Sequence, residues 1–361
     1  MEPKTIVSVS GYGATGSSAV IDLLKGLKDI DVLDDFEFQL HYFPDAISDL
    51  DYKLNESCSR FYDSDLAIKR FLDLCKRLDK WYYPAYSGHL HEMAEEYINE
   101  LNPVTWDGYW AYDRLMTPEE HIQQVDKENL QIDRINARVH LANRVFRKLH
   151  LPLFDDKKPH KNYYTERKMY MCIKPQNFIK ATQKFTDSLI MQASHKDACI
   201  IAINQLLPPQ NPERFYKYFS EEVKSIVVTR DPRDLWMHYH ILHRSQHSPR
   251  KNIDEYIRWY KENMKKEANV ISNNVLRISF EEIIYNYDRS KALIFDFIGA
   301  KDRVQSQKFF NPSRSAVNTK LFIKHPGYED DILKIENELA EYLFDFSKYE
   351  NVEEDSSVSV F

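Results

Sequence analysis

Ser10 to Ser18 read S-G-Y-G-A-T-G-S-S, the densest chemical signal in the chain. A glycine-rich turn between a strand and a helix aims backbone N–H groups at whatever lies above the strand, which suits an anion. Gly11, Gly13 and Gly16 spell G-x-G-x-x-G, and Asp31, Asp34 and Asp35 fall about 20 residues on, where a dinucleotide's ribose-binding acid belongs. Gly11 and Gly16 also fit the G-x-x-x-x-G of a triphosphate loop, but Ser17 replaces its lysine, which argues against magnesium–triphosphate hydrolysis. Ser17 and Ser18 offer two hydroxyls to a phosphate or sulfate, a provision that a dinucleotide loop does not need.

A second cluster lies in Val227 to His238, V-V-T-R-D-P-R-D-L-W-M-H. The apolar run reads as a buried strand ending on Arg230, and Pro232 opens a helix. Arg230 and Arg233 then sit at the carboxyl edge of a parallel sheet, where ligands bind in such folds. A guanidinium there can fork onto a phosphate, or pair with Asp231 or Asp234. His238, His240, His243 and His247 look like a metal cluster at a glance. No carboxylate or cysteine accompanies them at ligand spacing, so no zinc site is expected.

The elements that must position these residues are legible from pattern. Thr5–Ser10 is β-branched and apolar, Ser18–Leu27 has helical periodicity, and Asp31–Phe38 is extended, a β-α-β opening. From about residue 50 to 192 the chain turns helical, with helices expected over Asp65–Asp79, His91–Leu101, Pro118–Leu149 and Asn177–Gln192. Strands return at Ala198–Asn204, Val223–Thr229 and Asn274–Ser279, each followed by a helical pattern. The expected fold class is α/β, a parallel sheet flanked by helices with a large helical insertion. The expected organisation is one domain over 1–349 and an acidic, Ser-rich, disordered tail over 350–361.

With loop and arginine motif in this order, the chain resembles the sulfotransferase family, whose donor is 3′-phosphoadenosine 5′-phosphosulfate. The resemblance matches Gly11–Ser18, including Ala14 and Thr15, to the family's 5′-phosphosulfate loop, and Thr229–Asp234 to its 3′-phosphate motif. Val275–Ile283 resembles the family's next strand with its aromatic–acidic pair. Ser315–Lys324 resembles the late loop that closes over the nucleotide, with Asn318, Lys320 and Lys324 as its binding residues. The resemblance implies a P-loop-like fold and sulfuryl transfer to a hydroxyl or amine. Its base would be a glutamate or histidine just past the second strand, which points to Glu37, flanked by Phe36 and Phe38, and then to His41. An apolar setting there would raise the carboxyl's pKa toward a useful value.

Two positions depart from the family pattern. Ala14 stands where the family carries a cation for the transferring group, and His238 where a serine follows the arginine by eight positions. Lys174, Lys320 or Lys324 would then have to supply the charge. Two rival readings share the glycine loop: an NAD(P)-dependent oxidoreductase, and an inactive nucleotide-binding scaffold.

Bulk composition narrows the class. The 361 residues carry a net charge of −7, with 29% charged and 43% hydrophobic residues, and no long basic stripe that would mark a nucleic-acid binder. Four scattered cysteines, Cys58, Cys75, Cys172 and Cys199, form no metal-ligand pair or disulfide framework and suit a reducing compartment. No signal-like segment precedes the first strand, and no window is apolar enough to span a membrane. The expectation is a cytoplasmic enzyme without a metal; the oligomeric state is left open. Twenty-three Tyr, twenty Phe and five Trp make an aromatic-rich chain, either core or groove. Trp81, Tyr82, Tyr83, Tyr86, Trp106, Tyr109, Trp110 and Tyr112, beside Asp107 and Asp113, point to a carbohydrate acceptor, with a phenol or a lipid head group as the alternatives.

Overall fold

Among the described residues seven strands punctuate the chain: β1 (Thr5–Gly11), β2 (Ile30–Leu33), β3 (Val104–Gly108), β4 (Arg167–Met171), β5 (Ile200–Asn204), β6 (Glu222–Thr229) and β7 (Val275–Ser279). They are seen in a computed structural model that describes residues 4–58, 60–108, 118–157, 167–242, 248–264, 272–301, 308–349, 352–355 and 357–360. Five strands form one parallel sheet in the order β2-β5-β1-β6-β7. The fold is α/β, a parallel sheet flanked by helices.

β1 is the centre of this sheet. Thr5 aligns with Ile200 of β5 on one side and with Glu222 of β6 on the other. With neighbours on both edges and helices over both faces, its side chains are buried from Ile6 onward, which is why it reads as a continuous β-branched run rather than an alternation. Val7 and Val9 pack with Val20, Ile21, Leu23 and Leu24 of helix Ser17–Leu24. Ile6 joins Ile201 and Ile203 in the core on the opposite face.

Helices fall where the periodicity put them: Phe61–Leu78, Leu90–Glu100, Pro118–Lys148 and Phe178–Ala193 lie between β2 and β5. The expected strand at 31–38 is shorter, ending at Leu33 opposite Ile203. Beyond it, Asp34 turns to Lys25 at 2.6 Å and Phe36 stacks on Tyr82, so the chain leaves the sheet. The antiparallel pair β3–β4 was not anticipated. Its strands are five residues each, and β3 is almost wholly exposed, so no buried face writes a pattern into its sequence.

The aromatic residues divide between core and surface. Tyr82, Tyr86 and Tyr97 are buried, whereas Trp81 and Tyr83 face solvent. Tyr109, Trp110, Tyr112 and Asp113 lie outside the described residues, as do His243 and His247.

Candidate functional site

The glycine loop joins β1 to helix Ser17–Leu24 at the carboxyl edge of the sheet. Gly13, Ala14 and Gly16 all have positive φ, at 85°, 55° and 89°. Gly16 is obligatory twice over: it is left-handed, and a Cβ there would lie 2.3 Å from the ring of Phe280. At Gly11 a Cβ would meet Thr15 Oγ1 at 2.2 Å, and Thr15 Oγ1 accepts a bond from Tyr12 N that tightens the turn. Gly16 caps the helix without a side-chain hydrogen bond, so no side chain occupies the helix N-terminus. Ala14 carries a side chain in a conformation that disfavours one by roughly 1–2 kcal/mol. Arg230 holds it there, donating from Nη1 to Ala14 O at 2.8 Å, while Tyr239 Oη donates to Gly13 O at 3.0 Å.

β6 delivers Arg230 to the same edge. The residue is buried, its Nη2 donates to Asn318 O at 2.5 Å, and its guanidinium lies 5.2 Å from the Phe280 ring centre. One side chain thus ties the glycine loop to the late loop across 216 and 88 residues of sequence.

Between these elements opens a cavity of about 870 Å³, lined by Ala14, Gly16, Ser18, Arg230, His238 and Asn318, with Phe280 on its wall. Lys308 and Arg314 also line it, two cations that the sequence reading missed. Arg314 sits one position before Ser315, where the late-loop resemblance begins. Val358 and Ser359 reach the same cavity, and their segment is anchored by Glu354 to Lys324 at 2.6 Å and by Asp355 N to Ser313 O at 3.1 Å.

Other predicted residues lie elsewhere. Ser17 Oγ accepts from Gln205 Nε2 at 3.2 Å and does not line the cavity. Arg233 is turned away, clamped by Asp231 at 2.7 Å and Glu336 at 2.8 Å and laid over Phe322 at 4.2 Å. Lys320 lies over the rings of Tyr285 and Phe346, and Lys324 is held by Glu354, so neither late-loop lysine lines the cavity. Lys174 is exposed, its N bonded to Leu54 O. Asn318 contributes its backbone carbonyl to Arg230 as well as a place in the lining.

Glu37 and His41 separate on the structure. Glu37 is exposed, its Oε2 accepting from Gln39 Nε2 at 2.9 Å, rather than set among Phe36 and Phe38. His41 is fully buried, bonded to Thr186 Oγ1 at 3.0 Å and stacked on Phe219 at 4.7 Å. Burial lowers its pKa to about 3, which keeps it neutral and structural.

Behind Arg230 sits a set of carboxylates. Asp231 takes three bonds from Arg233 and one from Phe344 N. Asp234 is buried and accepts from Lys320 N and Leu321 N, pinning the late loop to helix Pro232–Ile241. Glu281 is wholly buried; Oε1 accepts from Asp231 N at 3.0 Å and Oε2 has no hydrogen-bond partner. Burial, with the charges of Asp231 and Asp234 added, pushes the Glu281 carboxyl up to about 8, and burial raises Asp234 as well.

The strand order bears on the dinucleotide reading. In the dinucleotide fold the second strand lies beside the first, bringing its acid to the ribose. Here β5 intervenes between β2 and β1. The three acids are also engaged: Asp31 by the amides of His195 and Lys196, Asp34 by Lys25, and Asp35 by His195. Among the described residues no group of His, Cys, Asp or Glu could hold a metal ion, and no helix is long and apolar enough to cross a membrane.

No family model matches the chain, and no curated protein matches it. Solved structures that superpose on it include the sulfotransferase domain from the Synechococcus PCC 7002 olefin synthase, at 11% identity over 91% of this chain and 82% of that one, TM-score 0.36. The sulfotransferase domain from the curacin biosynthetic pathway matches at 10% identity over 95% and 99%, TM-score 0.34. Retinol dehydratase, in complex with androsterone and inactive cofactor PAP, matches at 15% identity over 93% and 66%, TM-score 0.26. Overlaps this loose leave the chemistry to be argued from the cavity itself.

Proposed function

We propose that the chain transfers a sulfuryl group from 3′-phosphoadenosine 5′-phosphosulfate to a hydroxyl or amine, and that the acceptor is a carbohydrate. One observation carries this reading: a single cavity gathers the glycine loop, Arg230, His238, Arg314 and the late-loop residue Asn318. An anion at each end of a nucleotide needs donors at two places. The uncapped helix N-terminus with Ser18 provides one, and Arg230 with Arg314 provides the other. With Ala14 lacking a charge, Lys308 is the proposed cation for the transferring group.

Sulfuryl transfer, like phosphoryl transfer, needs an in-line approach and charge stabilisation more than covalent help from the protein. The acceptor oxygen or nitrogen forms a bond to sulfur as the bond from sulfur to the phosphate oxygen breaks, and a base takes the acceptor's proton. Glu37 is the proposed base. Its neighbour Phe38 donates to Asn204 O, and the following Gln205 reaches Ser17, which ties this turn to the loop's helix. Glu37→Gln is expected to lower kcat by roughly 10²–10⁴-fold with nucleotide binding unchanged.

Calorimetric titration with 3′,5′-adenosine diphosphate, NADH and magnesium-ATP tests the donor assignment. Micromolar binding of the bisphosphate alone is expected. Binding of NADH instead would overturn the assignment and return the loop to a dinucleotide.

A further inference from the structure

Helix Pro118–Lys148 runs for 31 residues, about 46 Å at ~1.5 Å per residue, and among the described side chains none of 130–157 belongs to any of the three buried cores. Among the described residues its companion is the extended segment 151–157, which folds back along it. Asn143 exchanges two hydrogen bonds with Phe154 and Asn136 two with Lys157, and Phe146 packs on Phe154 at 5.2 Å. Among the described residues this returning strip of seven covers one side of the helix.

The side left open is apolar. Leu141 and Val145, followed by Leu149 in the terminal turn, come at steps of four, which is one stripe on a helix of about 3.6 residues per turn, and Leu130 lies on the same face three turns earlier, beyond Arg134 and Arg138. They are far from buried: Leu141 is 67% exposed, Val145 52% and Leu149 61%. Leu151, Leu153 and Phe154 of the returning segment are about half exposed as well. Single exposed leucines mean nothing, but a contiguous row of them marks a surface that is covered in use.

The charge around this row identifies the cover. Residues 130–157 hold five cations on the helix, Arg134, Arg138, Arg144, Arg147 and Lys148, and Lys157 on the returning segment, against three acids, Asp133, Asp155 and Asp156, the last facing His140 at 3.4 Å, in a chain whose net charge is −7. All five are exposed, and none has an acidic partner among the described residues. A second copy of the chain would bring this positive set onto itself. A nucleic acid would answer the cations and leave the leucines in water. An anionic lipid surface answers both, with leucine and valine seated at the acyl boundary and arginines on the headgroups.

We infer that the hairpin of residues 130–154 docks the protein on anionic membrane surfaces. This inference is independent of the donor chemistry, since neither the glycine loop nor Arg230 takes part.

Co-sedimentation of the full chain with phosphatidylcholine–phosphatidylserine vesicles, and with pure phosphatidylcholine vesicles, tests it. The full chain is expected to pellet with the anionic vesicles alone and to be released as salt rises. Two surface variants separate the contributions: Leu141→Asp with Val145→Asp, and Arg144→Gln with Arg147→Gln. Each pair is expected to weaken partitioning by about tenfold or more, while the melting temperature stays unchanged because all four side chains are exposed. No pelleting of the full chain, equal pelleting on neutral vesicles, or pelleting indifferent to the Leu141/Val145 pair would overturn the proposal. A concentration-dependent dimer in light scattering, abolished by that same pair without vesicle binding, would assign the stripe to a second copy instead.

Discussion

Arg230 illustrates how one side chain can be both structural and functional. Its two terminal nitrogens hold backbone carbonyls of Ala14 and Asn318, so the residue assembles the cavity it lines. Removing it would therefore collapse the site and say little about ligand contacts. Arg314 is the better probe, because it is exposed at the cavity. Arg314→Ala is expected to raise the Kd of 3′,5′-adenosine diphosphate by roughly tenfold or more, the value of one charge-assisted hydrogen bond, with the melting temperature unchanged. Titration calorimetry on the two proteins measures it. Glu281 makes a different prediction. Its carboxyl, ordinarily at 4.5, is raised to about 8 by burial in the fold. The folded chain therefore binds a proton that the unfolded chain releases. Its contribution is fully present below the ordinary value and is lost as pH rises toward about 8. Glu281→Gln is expected to flatten the decline in melting temperature between those limits, and a series of thermal melts across that range checks it.

At the scale of elements, Gly16 and Phe280 show why loop and strand arrive together. The loop ends in a left-handed glycine whose missing Cβ admits the Phe280 ring, and that ring also lies beneath Arg230. Gly16→Ala combines a left-handed penalty with a buried clash, and a loss of about 2–4 kcal/mol of stability is expected in urea unfolding. The parallel strands and long helices were legible because burial on both faces, or on one stripe, writes a period into the sequence. β3 and β4 were not, being short and mostly exposed. The loop and Arg230 were legible because glycine and arginine at a sheet edge have few other uses. Lys308 and Arg314 escaped because a lone surface cation carries no pattern, and only the fold shows which cations face the cavity. His41 was named from its place just past the second strand, whereas its full burial and its stacking on Phe219 are set by the tertiary structure and leave no mark in the sequence.

On the scale of the whole molecule, the cavity draws its walls from both ends of the chain. Val358 and Ser359 close one side, held by the Glu354–Lys324 pair. Deleting residues 352–361 is expected to speed association of 3′,5′-adenosine diphosphate, which stopped-flow fluorescence can follow; an unchanged rate would show that this segment does not obstruct entry. The sheet has the same long reach. Thr5 in the central strand aligns with Ile200 and Glu222, so β1 is flanked by strands that are made some two hundred residues after it. At about 5–20 residues per second, β1 waits on the order of 10–40 s with both hydrogen-bonding edges open. A nascent chain in that state is a template for the wrong neighbour. Its yield in a cell should then depend on holdase chaperones and on growth temperature far more than the stability of the finished fold would suggest.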